Sequence, residues 1–83
     1  MSGPSTFRLS VDRSEGALER VLSVVRRRGL DVHRFCASPA GDGRWDIAID
    51  AAASEGEIGL ALRQLTALMD VRTARLESAS ASQ

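Results

Sequence analysis

The hydrophobic pattern of this chain switches repeatedly between period two and helical spacing, and the order of those switches leaves few folds open. Phe7, Leu9 and Val11 alternate with Arg8, Ser10 and Asp12, as in a strand buried on one side. Over residues 15–28 the spacing becomes helical. Ala17, Leu18, Val21, Leu22 and Val25 form one stripe, with Glu19, Arg20, Arg26 and Arg27 mainly off it. Residues 30–38 return to strand character, but Leu30 and Val32 share one parity, and Phe35 and Ala37 the other. A bulge or a strand buried on both sides would reconcile them. Residues 39–43 have turn composition. Residues 44–51 alternate cleanly, with Trp45, Ile47 and Ile49 against Arg44, Asp46 and Asp50. A second helix carries Ile58, Ala61, Leu62, Leu65 and Leu68 on one face, and a last strand runs over residues 69–76.

Local signals support these boundaries. Ser14 is placed to cap the first helix, with Glu15 near its positive end and arginines in its last turn. Gly29 supplies the left-handed residue that stops it. Ser54 and Glu57 have capping-box spacing at the second helix, whose first turn Gly56 and Gly59 weaken. The order is β-α-β-β-α-β. Two right-handed crossovers then give an α+β, ferredoxin-like domain: a four-stranded antiparallel sheet with both helices on one face. The domain is expected over residues 6–77, with flexible ends at 1–5 and 78–83.

Composition narrows the function. The chain has 83 residues, 43% of them hydrophobic, which allows one domain with a real core and favours association. Eleven basic and eleven acidic groups cancel, unlike a generic nucleic-acid binder. The open sheet face is expected to carry Thr6, Arg8, Ser10, Arg44, Asp46, Ala48 and Asp50, with no aromatic side chain to stack on RNA bases. Cys36 is the only cysteine. No internal disulfide can form, a cytoplasmic location is expected, and the thiol reads as buried and inert. Neither a signal peptide nor a membrane span is expected.

Catalytic chemistry is hard to build. His33 is the only histidine, has no ligand spacing around it and reads as a surface or edge-strand residue. There is no lysine, no phosphate-binding glycine loop and no Cys-x-x-Cys. The chain is therefore read as a non-enzyme holding no metal or cofactor. The run Arg26, Arg27, Arg28 is either a solvated helix end or a cationic patch for an acidic partner.

Gly16-Ala17-Leu18-Glu19-Arg20-Val21-Leu22, followed by Arg27-Arg28-Gly29-Leu30-Asp31-Val32, resembles the amino-acid-binding ACT domain. More narrowly, residues 18–22, 24–29 and 64–71 and the small polar tail are similar to the small regulatory subunit of acetolactate synthase (acetohydroxyacid synthase), isozyme II type. The resemblance covers residues 6–77. It implies a homodimer formed through ACT domains that activates a larger catalytic subunit in branched-chain amino-acid biosynthesis. That partner would carry the thiamine diphosphate and magnesium. It also implies a branched-chain amino-acid effector site at Arg13, Ser14, Glu15, Gly16, Ala17, Leu18, Asp31 and Val32. A strand end, a glycine and a helix N-terminus suit a carboxylate there.

Valine-sensitive relatives typically hold Asn where this chain has Arg13 and Asp31. An Arg13–Asp31 ion pair is the expected replacement, with valine binding weak or absent. Glu19, Arg20, Arg26 and Arg27 are the candidate docking residues for the catalytic subunit, beside the open sheet face. The alternative is a stand-alone amino-acid sensor or a protein-interaction module of the same fold.

Overall fold

The computed structural model describes residues 4–78. Strand β1 (Ser5–Asp12) leads into helix α1 (Ala17–Arg27), strands β2 (Asp31–Ala40) and β3 (Arg44–Ala52), helix α2 (Glu55–Thr66) and strand β4 (Val71–Ser78). The sheet order is β2-β3-β1-β4, every pair antiparallel. This is the expected α+β, ferredoxin-like architecture. Both chain ends of the described region are in the sheet, since Ser5 pairs with Ser78. The rest of the expected flexible ends, residues 1–3 and 79–83, lies outside the described residues.

One sheet face and the two helices enclose the core. Phe7, Leu9 and Val11 of β1 pair with Ile49, Ile47 and Trp45 of β3, so their side chains share a face. All but the half-buried Trp45 are buried, along with Val21, Val24 and Val25 of α1 and Ile58, Ala61 and Leu65 of α2. Val24, which the stripe omitted, faces the core, while Leu18 and Leu22 are only half-buried. They flank the stripe, and α1 has neighbours below and on one side only.

The helix ends differ in how they form. Ser54 accepts the Glu57 backbone N–H at 3.2 Å, as its spacing predicts. Ser14 does not cap α1: Gly16 is the cap residue, left-handed at φ 79, with no side-chain cap. The turn needs one residue in that region, and Ser14 is drawn elsewhere. At the other end, Gly29 (φ 72) sends its N–H to the Arg26 carbonyl, and Leu30 sends its own to Val25. That is a Schellman closure with Leu30 and Val25 both buried.

The parity conflict in β2 resolves as a bulge. Val32 pairs with Ala51 and Arg34 with Asp50, which leaves His33 as the extra residue on an edge strand. Beyond it Phe35 and Ala37 rejoin the core face. Three expectations need correction. Pro39 and Ala40 belong to β2, and the turn is Gly41-Asp42-Gly43 alone; an edge strand tolerates the missing proline N–H. Cys36 is exposed, because it pairs with Ala48 on the open face. Met69 is 96% exposed and sits in the turn before β4, because Asp70 is engaged just after it.

Phe7 is the largest fully buried side chain on a central strand. Truncating it with Phe7→Ala is expected to cost about 3–5 kcal/mol in urea unfolding. Thr73→Ala, on exposed β4 positions, should stay within about 0.5 kcal/mol.

Candidate functional site

The loop from Arg13 to Gly16 connects the end of β1 to the start of α1 and is held on three sides. The Arg13 N–H donates to the Gly43 carbonyl of the β2–β3 turn at 3.0 Å. The Asp12 N–H donates to the Asp70 carbonyl of the α2–β4 turn at 2.8 Å. The third hold is the Asp70 side chain. Its carboxylate accepts from Ser14 Oγ at 2.6 Å on one oxygen and from Arg20 Nε at 2.6 Å on the other. This is where Ser14 goes instead of capping the helix. Arg20 also donates through Nη2 to the Glu15 carbonyl at 2.9 Å.

Gly16 makes this arrangement possible. A Cβ there would stand 2.9 Å from Arg20 Nη1, and its φ of +79 already disfavours a side chain. The guanidinium thus lies against bare backbone. The charge-assisted bonds shift both partners. Arg20 is pushed further up by its hydrogen bond to Asp70. Asp70 is held below the usual carboxylate range, first by the Arg20 bond and then by Ser14.

Arg13 turns the other way. Its guanidinium carbon sits 4.9 Å from the centre of the Trp45 ring, a cation–π contact at the rim of the core. Arg13, Ser14, Glu15, Gly16, Ala17, Leu18, Glu19 and Trp45 line an open depression of about 450 Å³. Six of the eight expected effector residues are therefore together.

Asp31 and Val32 are not with them. They begin β2, where Asp31 pairs with Ala52, whereas Arg13 is at the end marked by the pairing of Asp12 with Arg44. The two groups occupy opposite ends of the sheet. The expected Arg13–Asp31 ion pair is absent within the chain: Arg13 covers Trp45, and Asp31 meets His33 Nε2 at 3.2 Å. The sheet's length keeps them apart.

The expected docking residues also separate. Arg20 is committed to Asp70, while Glu19, Arg26 and Arg27 are exposed with no ion-pair partner among the described residues. Ser23, Arg26 and Arg27 line a second open depression of about 430 Å³. Reading the sequence missed Trp45 and Asp70. Trp45 was legible as a core-parity residue next to a turn, but Asp70 lies 56 positions from Ser14, and no local pattern links them. Among the described residues, no group of His, Cys, Asp and Glu is placed to hold a metal ion, and no helix is long and apolar enough to cross a membrane.

The Asp70 clamp predicts a local effect. Asp70→Asn should speed amide exchange over residues 13–17 and leave the β1 and β3 core amides unchanged. Because the folded carboxyl is held below its ordinary value, the clamp is complete above about pH 4 and is lost as pH falls through the lower folded value. The difference between the two proteins should vanish there. Gly16→Ala should cost about 1–2 kcal/mol in urea unfolding.

Comparison with known proteins agrees with this fold. The family model for the ACT domain matches residues 13–74. The ACT domain of GTP pyrophosphokinase from Chlorobium tepidum superimposes with a TM-score of 0.79 at 12% identity, over 93% of this chain and 100% of that one. The C-terminal domain of MgtC from Mycobacterium tuberculosis gives 0.78 at 14% identity, over 96% and 90%. A homoserine dehydrogenase from Thiobacillus denitrificans gives 0.75 at 14% identity, over 92% of this chain but only 17% of that one. These likenesses show the fold. Among curated protein sequences there is no significant match. The family match, with the sheet order in agreement, places the chain in the ACT-domain family of regulatory, non-catalytic modules.

Proposed function

We propose that this chain is a regulatory subunit of acetolactate synthase that binds and activates the catalytic subunit as a homodimer. One observation carries the reading. Residues 18–22 and 64–71, two of the segments that resemble the isozyme II small subunit, are joined by the Arg20–Asp70 bridge across 50 positions of sequence. The resemblance therefore includes a tertiary contact at the rim of the candidate effector loop. It also includes Glu19, Arg26, Arg27 and the 96%-exposed Met69. The helix ends account for the charges of Glu19, Arg26 and Arg27, but packing of one domain gives no reason for an exposed Met69, whereas a partner surface would.

The chain brings no thiamine diphosphate or magnesium site in this reading; both belong to the catalytic partner. Contact with that partner is assigned to the exposed side of α1, with Arg26 and Arg27, and to the open sheet face. Arg20 supports the loop instead.

A dimer would also complete the effector site. The free edge of β2 can pair with β2 of a second copy. Antiparallel pairing reverses the sheet direction, so Asp31 and Val32 of one copy approach the loop end of the other. What they meet there differs from a valine site. Arg13 occupies the rim of the depression over Trp45, and Asp31 adds a carboxylate that repels the ligand's own. Valine binding is weak or absent on this reading.

Acetolactate formation by the catalytic subunit from the same source, assayed with and without this chain, tests the proposal. Clear stimulation is expected, with little change on adding valine and no valine heat in calorimetry at submillimolar concentration. No stimulation together with no co-purification would favour a stand-alone amino-acid sensor or an interaction module. Submillimolar valine binding would overturn the argument from Arg13 and Asp31.

A further inference from the structure

Strand β4 closes one side of the sheet, and its two faces are each left incomplete. Its backbone pairs only with β1, so the other side of the strand presents free N–H and C=O groups. Leu76 pairs with Phe7 and shares its helix-bearing face, yet it is 42% exposed. Helix α2 lies on the route from β3 across β1 to β4 but does not shelter that edge. Ala61 of α2 is fully buried, whereas Leu62, about 100° further round the helix, is only half-buried. Gly59 lies on the Leu62 flank, and a Cβ there would meet nothing within 4 Å. Leu62 on the helix and Leu76 on the strand therefore form an apolar step open to solvent beside the free edge.

The open face of the same edge carries an excess of positive charge. Arg75 stands directly opposite Arg8 of β1, and like charges in that position repel. One carboxylate serves both. Glu77 meets Arg8 Nε at 3.3 Å and Arg75 Nη2 at 3.3 Å, both long for a charge-assisted bond. The two arginines hold Glu77 below the usual carboxylate range, Arg8 first and Arg75 second. The Arg75 side chain remains 71% exposed. A second copy of β4 laid along this edge would bring the same arginine excess, so the edge selects against itself and favours carboxylates.

We propose that the free edge of β4 accepts an extended segment of a partner protein as a fifth strand, one in which apolar and acidic side chains alternate. Successive side chains of a strand point to opposite faces, so one alternating segment meets both needs of the edge. Its apolar side chains cover Leu76 and Leu62. Its carboxylates, on the other face, pair with Arg75 and leave Glu77 to Arg8. The strand backbone supplies the hydrogen bonds, and the side chains select the segment. This goes beyond the function proposed above and holds whichever protein supplies the segment.

NMR titration of the isotope-labelled full chain with a blocked peptide of alternating glutamate and valine, about eight residues long, tests the proposal. Saturable shifts are expected at the β4 amides, at millimolar peptide or below, with β2 amides at the other edge unchanged. A lysine–valine peptide of the same length should bind about tenfold more weakly or worse. Arg75→Glu sets two carboxylates against Arg8, so the preference should reverse to the lysine peptide. That gain of binding cannot come from a chain that fails to fold. Leu76→Gln should weaken binding of the glutamate peptide about tenfold. Absence of β4 shifts, shifts centred on β2, or a charge preference that Arg75→Glu leaves unchanged would overturn the proposal. None of these outcomes depends on stimulation of the catalytic subunit, which decides the proposed function separately.

Discussion

Two helices cover one face of the four-stranded sheet and leave the other face and both edges bare. Everything else in the molecule follows from that one-sided burial. The inner face takes Phe7, Leu9, Val11, Ile47 and Ile49 out of water, and that apolar burial is the main force holding the fold. The outer face is polar. Its charges are either paired, as Arg8 and Arg75 are with Glu77, or left to solvent, as Asp46 is. A domain this small has little core to spare, so its uncovered edge and helix flank are natural places for a second chain.

The one-sided design was legible because burial writes itself into period. β1 and β3 alternate without a fault, and the parity conflict in β2 left a bulge or a strand buried on both sides, of which the fold takes the bulge, at His33. What stayed hidden depends on contacts between distant residues. Ser14 has the composition of a helix cap, yet Asp70 offers its hydroxyl a charged acceptor, and Gly16 takes the cap position. Cys36 reads as a core thiol, but its exposure depends on which face β2 turns outward after the bulge. Arg13 and Asp31 seemed adjacent when counted from two glycines, whereas the sheet places them at opposite ends.

The loop after β1 is held by contacts from distant parts of the chain. Bridges from two turns and a guanidinium stacked on a glycine hold it, so its shape is set before any ligand arrives. Preorganised backbone beside a helix start suits a small anion in general. Here Arg13 lies over Trp45 at the rim of that depression.

Native mass spectrometry of this chain mixed with the thiamine-diphosphate catalytic subunit from the same source tests the central claim most directly. A complex carrying an even number of copies of this chain is predicted. Catalytic subunit recovered free, with this chain as a separate monomer, would contradict it.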